Sequence, residues 1–340
     1  MARVTIRDVA RVAGVGIGTV SRVINNNPNV SDHTRQLIWD TIEELGFVPN
    51  AAARQLPRKT PLRSVGVITP TFESYYSFSE RLRGVQKALI PYNEQFDLSL
   101  YTVPDMRDYE DRFTAIIETS VISGLLVIDF DLTKAKKETL KQHGVPFVGL
   151  NHIQDASDWV CFGHHNEDGG YLATQHLLDL GHTRIAYIGN ELIDGRGFPT
   201  SKERYTGYLR ALHDAGVPRQ DQYFKTSELN FASAKQMTLD LLRLPQRPTA
   251  IVSMSDIHAL GSLEAARELG LRVPEDLSVM GYDDLEMSSY VGLSTVCQHL
   301  ELGGEVAMNY LLEMIHHSAS DDVPALPALE VIQRRTTARL

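Results

Sequence analysis

Between Thr5 and Leu45 apolar residues recur at intervals of three and four, the period of an amphipathic helix. Ile6, Val9, Ala10 and Ala13 form one stripe behind Thr5, which is suited to cap the helix, and Asp8 lies in the first turn, where the helix dipole favours an acid. Gly14 closes this helix, as a residue tolerant of left-handed geometry. A second begins near Gly16, turns Val20, Val23 and Ile24 inward, and leaves Ile17, Gly18, Ser21 and Arg22 on its other face. Helix, glycine-containing turn, helix is the arrangement that places its second helix in a DNA major groove, where Arg22 can fork onto a guanine edge or clamp a phosphate. An amphipathic hairpin with a solvated arginine fits the same pattern. Ser31 caps a third helix that packs Ile38, Ile42 and Leu45 inward and stops at Gly46.

The pattern then changes twice. Asn50 opens a short alanine-rich stretch ending at Leu56, with almost no apolar surface to bury, so that it forms a helix only against a partner. Leu56, apolar in a basic neighbourhood, suits a wedge between base steps of a minor groove; packing on the following domain is the alternative. Two prolines and three basic residues within 57–63 mark a boundary. Beyond it, short β-rich runs at 64–70, 98–103, 124–129, 146–151, 160–164, 184–190, 250–256, 277–284 and 294–299 alternate with amphipathic helices, the first over about 78–89. That alternation predicts parallel, doubly wound sheets covered on both faces. No short internal repeat is evident.

Composition sharpens this division. The chain of 340 residues carries a net charge of −10, unevenly spread. Residues 1–59 hold eight basic and five acidic residues, whereas the remainder holds 25 and 38. A modestly basic head on an acidic body directs phosphate contact to one end. Cys161 and Cys297 are the only cysteines and have no metal-type spacing, so no metal and no disulfide framework are expected. The adjacent His164 and His165 point to opposite faces of a strand and cannot easily share an ion. No leader precedes the first helix and no apolar run reaches membrane-spanning length, the best being 121–130, so a cytoplasmic location without membrane contact is expected. Neither a nucleophile elbow nor a Gly-rich phosphate fingerprint nor an H-E-x-x-H pattern is present, and no enzyme activity or cofactor is expected.

TIRDVARVAGV, TVSRVINNNPNVSDHTR and LGFVPNAAARQL make the chain resemble the lactose-repressor (LacI/GalR) family of bacterial transcription regulators over essentially its whole length. The resemblance implies an all-α helix-turn-helix head at 1–48, a hinge helix and linker at 49–62, and a two-lobed α/β body like a periplasmic binding protein at 63–340. It places about 63–160 and 293–322 in the first lobe, and about 162–291 and 323–340 in the second. It implies a repressor that binds a palindromic double-stranded operator as a homodimer, with helical segments near 70–90 and 275–290 as interface candidates, under allosteric control by a small-molecule effector between the lobes, most simply a sugar. It assigns DNA contact to Thr5, Ile17, Gly18, Thr19, Ser21, Arg22, Asn25, Asn50, Ala53, Arg54 and Leu56. Three departures bear on the operator. Gly16 stands where the family commonly has Ser, Ile17 and Gly18 offer no side-chain hydrogen bonds, and Pro57 stops the hinge helix. Base readout therefore falls to Arg22 and Ser21. The rival reading is a cytosolic solute-binding or sugar-processing protein whose N-terminal helices only dimerise.

Open parallel sheets bind ligands beyond the carboxyl ends of their strands, which singles out Asn151, Ser255, Asp256, Asp283 and Asp284; His164 can also contact a polar effector, with a solvated or packed ring as its preferred reading. For Asp256 and Asp284, helix capping or turn formation is the preferred reading. Arg204 and Asp283 match positions where the family commonly touches its effector, and Phe78 an aromatic position where stacking is common, with a core role as its alternative.

Overall fold

The computed structural model describes residues 4–24, 30–45, 47, 62–70, 75–103, 113–114, 116–117, 122–129, 131–150, 159–192, 200–227, 230–320 and 322–340. Its contacts divide the chain into two compact units, Met1–Leu62 and Arg63–Leu340.

The first unit is a three-helix head. Helices α1 (Ile6–Val12), α2 (Ile17–Ile24) and α3 (Asp32–Glu44) enclose a small core of Val9, Ala10, Ala13, Val20, Val23, Ile38 and Ile42. The expected ends hold. The Thr5 backbone N–H and hydroxyl both donate to Asp8 Oδ2, at 2.9 and 2.7 Å, and these bonds hold the Asp8 carboxyl below the usual range. Gly14 takes φ +65° between α1 and α2, and the N–H of Thr34 donates to Ser31 Oγ at the start of α3.

In the second unit, strands β1 (Arg63–Pro70), β2 (Phe96–Val103), β3 (Ile122–Ile128), β4 (Phe147–Leu150) and β5 (Cys161–Phe162) form one parallel sheet in the order β2-β1-β3-β4-β5. Neighbouring residues of β1 and β3 enter opposite layers. Val65, Val67, Leu126 and Ile128 pack under α4 (Tyr75–Leu89) with Ala307, Met308 and Leu311, while Ile68, Leu125 and Val127 pack on the other face with Leu132 and Leu140 of the segment leading through α5 (Lys134–Gln142). Burial on both faces is why these strands read as continuous apolar runs rather than alternating ones.

A second parallel sheet follows α6 (Asn166–Asp179). It contains β6 (Ile185–Asn190), β7 (Phe224–Ser227), β8 (Ala250–Ser253) and β9 (Ser278–Met280) in the order β7-β6-β8-β9. Helices α7 (Thr200–Asp214), α8 (Phe231–Leu242) and α9 (Asp256–Glu268) connect the strands, and α10 (Glu286–Val291) follows the last. Strand β10 (Thr295–Cys297) pairs antiparallel with β11 (Glu330–Ile332), and between them α11 (Leu300–Ile315) returns to complete the first lobe's core.

Two expectations change. Residues 293–297 do not join the first lobe: Met280 bridges Ser294, Asp283 bridges Cys297, and Leu293 and Val296 are buried in the second lobe's cores. The crossing back to the first lobe begins at about Gln298. Strands β7 and β11 had no apolar run to announce them, because both are short and only partly buried, with polar residues such as Lys225, Thr226 and Glu330 in them. Among the described residues no helix is long and apolar enough to cross a membrane.

Candidate functional site

On the head, the Gly16 carbonyl accepts the first N–H bonds of α2, from Thr19 and Val20, at 2.8 and 3.2 Å. Val20 and Val23 point into the core, which leaves Ile17, Gly18 and Arg22 exposed and Thr19 and Ser21 half-exposed on one continuous face. Ile17 is 47% exposed, a large value for an apolar residue in so small a domain. A Cβ on Gly18 would meet nothing within 4 Å, so no packing requirement of the head excludes a side chain there. Thr5 is exposed, with its hydroxyl used in the cap described above. Asn25, Asn50, Ala53, Arg54 and Leu56 lie outside the described residues.

In the body, the strand ends bring Arg204 and Asp283 together, 3.6 Å apart and both almost fully buried. Arg204 projects from α7. Its Nε donates to Asn166 Oδ1 at 3.0 Å, its Nη1 donates to the Met254 carbonyl at 2.7 Å, and its guanidinium lies 3.7 Å over the Tyr282 ring. Asp283 follows β9 in a turn with φ +121° and accepts a bond from the Gln298 side chain. Burial raises the Asp283 carboxyl above the ordinary range, and the nearby Arg204 and Arg81 charges pull it back. Asp284, beside it, takes φ +54° and pairs with Arg334 at 2.7 Å, tying the C-terminal segment to this turn.

Asp256 does not take the effector role considered for it. It is fully buried, and its carboxylate accepts bonds from the Leu285 N–H, the Ser288 hydroxyl and the Thr295 hydroxyl at 2.8, 2.7 and 2.6 Å. These donors occupy both oxygens, so the residue ties α9 to the turn after β9 and to β10. Burial raises its carboxyl, and the adjacent Asp283 charge adds to the effect. Phe78 also resolves to its alternative: it is 5% exposed and packs in the first lobe's core with Val65, Ile128 and Val148. Ser255 caps α9, its hydroxyl 2.8 Å from His258 Nδ1, while His258 is buried and held down to about 3 by desolvation, then by the Arg204 charge. His164 is half-buried, on a cavity of about 390 Å³ that it shares with His165, Asp168, Tyr171 and Arg210. Asn151 lies outside the described residues.

The site contains a pair that sequence reasoning missed. Arg81, in α4, is 2% exposed and lies 3.5 Å from Asp129, which follows β3 at φ +67°. Both charges act on Asp283, Arg81 lowering its carboxyl and Asp129 raising it, so the two arginine–aspartate pairs share one electrostatic neighbourhood between the lobes. Arg81 Nη2, together with the hydroxyls of Tyr187, Tyr205 and Tyr282 and Asn190 Oδ1, is buried without a hydrogen-bond partner among the described residues. Such groups carry a desolvation cost that a polar ligand or water removes. The overlooked signal is a repeat. Glu80-Arg81-x-x-Gly84-x-x-x-Ala88-Leu89 recurs as Glu203-Arg204-x-x-Gly207-x-x-x-Ala211-Leu212.

A model of the bacterial regulatory proteins of the lacI family matches residues 5–50, and one of a periplasmic binding protein-like domain matches 174–337. The chain is 35% identical over 315 residues to the HTH-type transcriptional repressor PurR of Actinobacillus pleuropneumoniae serotype 3 (strain JL03), covering 92% of this chain and 91% of that protein. Among solved structures it resembles the lac repressor dimer bound to operator and the anti-inducer ONPF, at 28% identity and a TM-score of 0.68, covering 99% of this chain and all of that one. It also resembles the transcriptional regulator CelR in complex with cellobiose, at 28% identity and a TM-score of 0.65, covering 98% and 100%.

Proposed function

The chain belongs to the lacI family of bacterial regulatory proteins, and from that premise we propose that it grips a palindromic operator as a homodimer and answers to a carbohydrate held between its two lobes. It is a DNA-binding transcriptional repressor controlled by a small-molecule effector, acting in the cytoplasm. The observation that carries the reading is the outward α2 face, with Ile17, Gly18 and Arg22 exposed and Ser21 half-exposed outside the head's apolar core. Arg22 and Ser21 read base edges, Thr5 and Thr19 contact phosphates, and Ile17 presses on thymine methyl groups. Asn25, Asn50, Ala53 and Arg54 extend the contact, and Leu56 opens a central base step. Segments near 70–90 and 275–290 join two copies, matching two heads to two half-sites.

Effector recognition falls to Arg204, Asp283 and Arg81, with Ser255 and His164 at the margin. Paired guanidinium and carboxylate groups with nearby tyrosine hydroxyls match the donors and acceptors of sugar hydroxyls, and cellobiose occupies the similar regulator CelR. A nucleobase is the second reading, favoured by the likeness to repressors named PurR. Either ligand shifts operator affinity by exactly as much as operator shifts ligand affinity, since both bias one equilibrium.

Selection of binding fragments from random duplex, followed by anisotropy titration, tests the reading. A palindromic preference that Arg22→Ala reduces at least tenfold supports it; no preference over random competitor at moderate salt, with or without metabolites, overturns it. Thermal-shift screening over sugars and nucleobases identifies the effector. Arg204→Lys, which keeps the charge but loses the fork, removes the response to that effector while leaving operator binding intact. A normal response discards the pocket assignment.

A further inference from the structure

The lobes are joined where the chain passes between them, and these passages bring together side chains that are distant in sequence. Cys297 ends β10 and lies directly opposite Glu330 of β11 in the antiparallel register. His299 follows two residues later at φ +53°, a left-handed backbone that is uncommon for a residue with a side chain and that clusters at functional sites. Cys297 Sγ, a His299 ring nitrogen and a Glu330 carboxylate oxygen all lie within 4.8 Å of one another. His164, on the preceding crossing, has its ring centre 6.4 Å from that of His299, and its Nε2 is buried without a partner among the described residues.

We propose that Cys297, His299 and Glu330 form a transition-metal site, selective for zinc over magnesium, at the junction between the lobes. Three features of the geometry support it. A tetrahedral zinc about 2.3 Å from sulfur and about 2.05 Å from nitrogen holds those two atoms about 3.5 Å apart. Cys297 Sγ and His299 Nδ1 are 3.6 Å apart. The other ring nitrogen, Nε2, lies 3.1 Å from the Ala328 carbonyl and 3.8 Å from Glu330 Oε1, acceptors that fix the proton on Nε2 and leave the Nδ1 lone pair bare toward the sulfur. Metal-ligating histidines are oriented in this way by an outer carbonyl or carboxylate. The donors are one sulfur, one nitrogen and one oxygen, a set that suits a borderline-soft ion and not the all-oxygen octahedron of magnesium. His164, whose ring centre is 6.4 Å from that of His299, stands beside the three donors. Sequence spacing concealed the site, because Glu330 arrives only through the pairing of β10 with β11, and Cys-x-His alone is not a metal pattern.

The plainer account is a lone thiol-to-imidazole hydrogen bond, and the test separates the two. Full-length protein kept reduced is titrated with cobalt(II), then with zinc against a chromophoric chelator, with magnesium as the control. The expected result is one equivalent per chain, a thiolate-to-cobalt charge-transfer band, displacement by zinc and no competition from magnesium. Cys297→Ser removes the band, and Cys297→Ser and His299→Gln each weaken zinc binding by more than about 100-fold, beyond the 10- to 100-fold typical of losing an outer partner. Cys161→Ser leaves both unchanged. Operator binding by the His299→Gln protein confirms that it is folded. Absence of the band from wild type, or its persistence in Cys297→Ser, overturns the proposal.

Discussion

The two lobes solve one packing problem twice and then use the result differently. In the first, α4 crosses α11; in the second, α7 crosses α6. The partner helices repeat as well: Glu301-x-Gly303-Gly304-x-x-Ala307-x-x-x-Leu311-Leu312 matches Glu167-x-Gly169-Gly170-x-x-Ala173-x-x-x-Leu177-Leu178. Glycines are required at each crossing. A Cβ on Gly84 would stand 1.8 Å from the Glu301 carbonyl oxygen, and one on Gly207 would stand 1.9 Å from that of Glu167. Reciprocally, Gly304 faces the Arg81 carbonyl and Gly170 that of Arg204, at 2.0 Å in both cases. The backbone of each buried arginine is thus clamped by the opposing helix. The side chains diverge from there. Arg204 spends its guanidinium on Asn166, Met254, Asp283 and Tyr282, whereas Arg81 keeps one buried amino group without a partner among the described residues. Of the two guanidinium groups, that of the second lobe is committed to partners, whereas that of the first presents unused hydrogen-bonding capacity.

Removing the arginines breaks this comparison most sharply. Arg204→Ala leaves Asp283 buried without its main charge partner and should cost about 3–5 kcal/mol of body stability. Arg81→Ala should cost clearly less in urea unfolding and show its main effect in effector affinity; equal stability losses would erase the distinction. Next come the crossings. Gly84→Ala and Gly207→Ala should each destabilise by about 1–3 kcal/mol, because backbone rather than a movable side chain meets the new carbon. A tolerated change at one alone would show that the two crossings are not equivalent.

Acid sharpens the contrast from the other side. His258 lies in the second lobe with its pKa depressed by burial to about 3, while the unfolded chain takes up its proton near 6.5. Its stabilising effect is complete above the unfolded value and is lost as pH falls toward the folded one, at up to about 1.4 kcal/mol per pH unit. His258→Gln should therefore reduce the drop in melting temperature between pH 7 and pH 5; an unchanged drop would place the acid sensitivity elsewhere. The smallest effect belongs to the outer charges. Lys87, the repeat partner of Arg210, pairs with Glu305 at 2.7 Å on the exposed rim, and Lys87→Ala should not move the unfolding midpoint measurably in physiological salt.

Periodicity made most of this architecture legible. The head's helices, their caps at Thr5 and Ser31, and the buried strands were readable because local signals and tertiary packing agree there. Arg204 came from resemblance alone, and Asp283 from resemblance and from its position at a strand end. Arg81 and Asp129 did not, since a lone arginine in an amphipathic helix reads as a solvated residue until its repeat is aligned with Arg204. Asp256 reads first as a cap or turn residue, although its strand-end position also suits a ligand; only tertiary contact shows that Ser288 and Thr295 use its oxygens. Residues 293–297 were misassigned because a strand of three residues carries no mark of the sheet it will join.

The return of α11 to the first lobe has a consequence for the newborn chain. Ala307, Met308, Leu311 and Ile315 seal the layer laid down by Val65, Val67 and Leu126, some 180 to 250 residues earlier. A ribosome that has delivered all five strands of that sheet has therefore not yet made its cover. The first lobe must wait with part of an apolar face uncovered, while the later-made lobe gathers most of its own core from contiguous sequence. Order of manufacture and order of completion are thereby reversed.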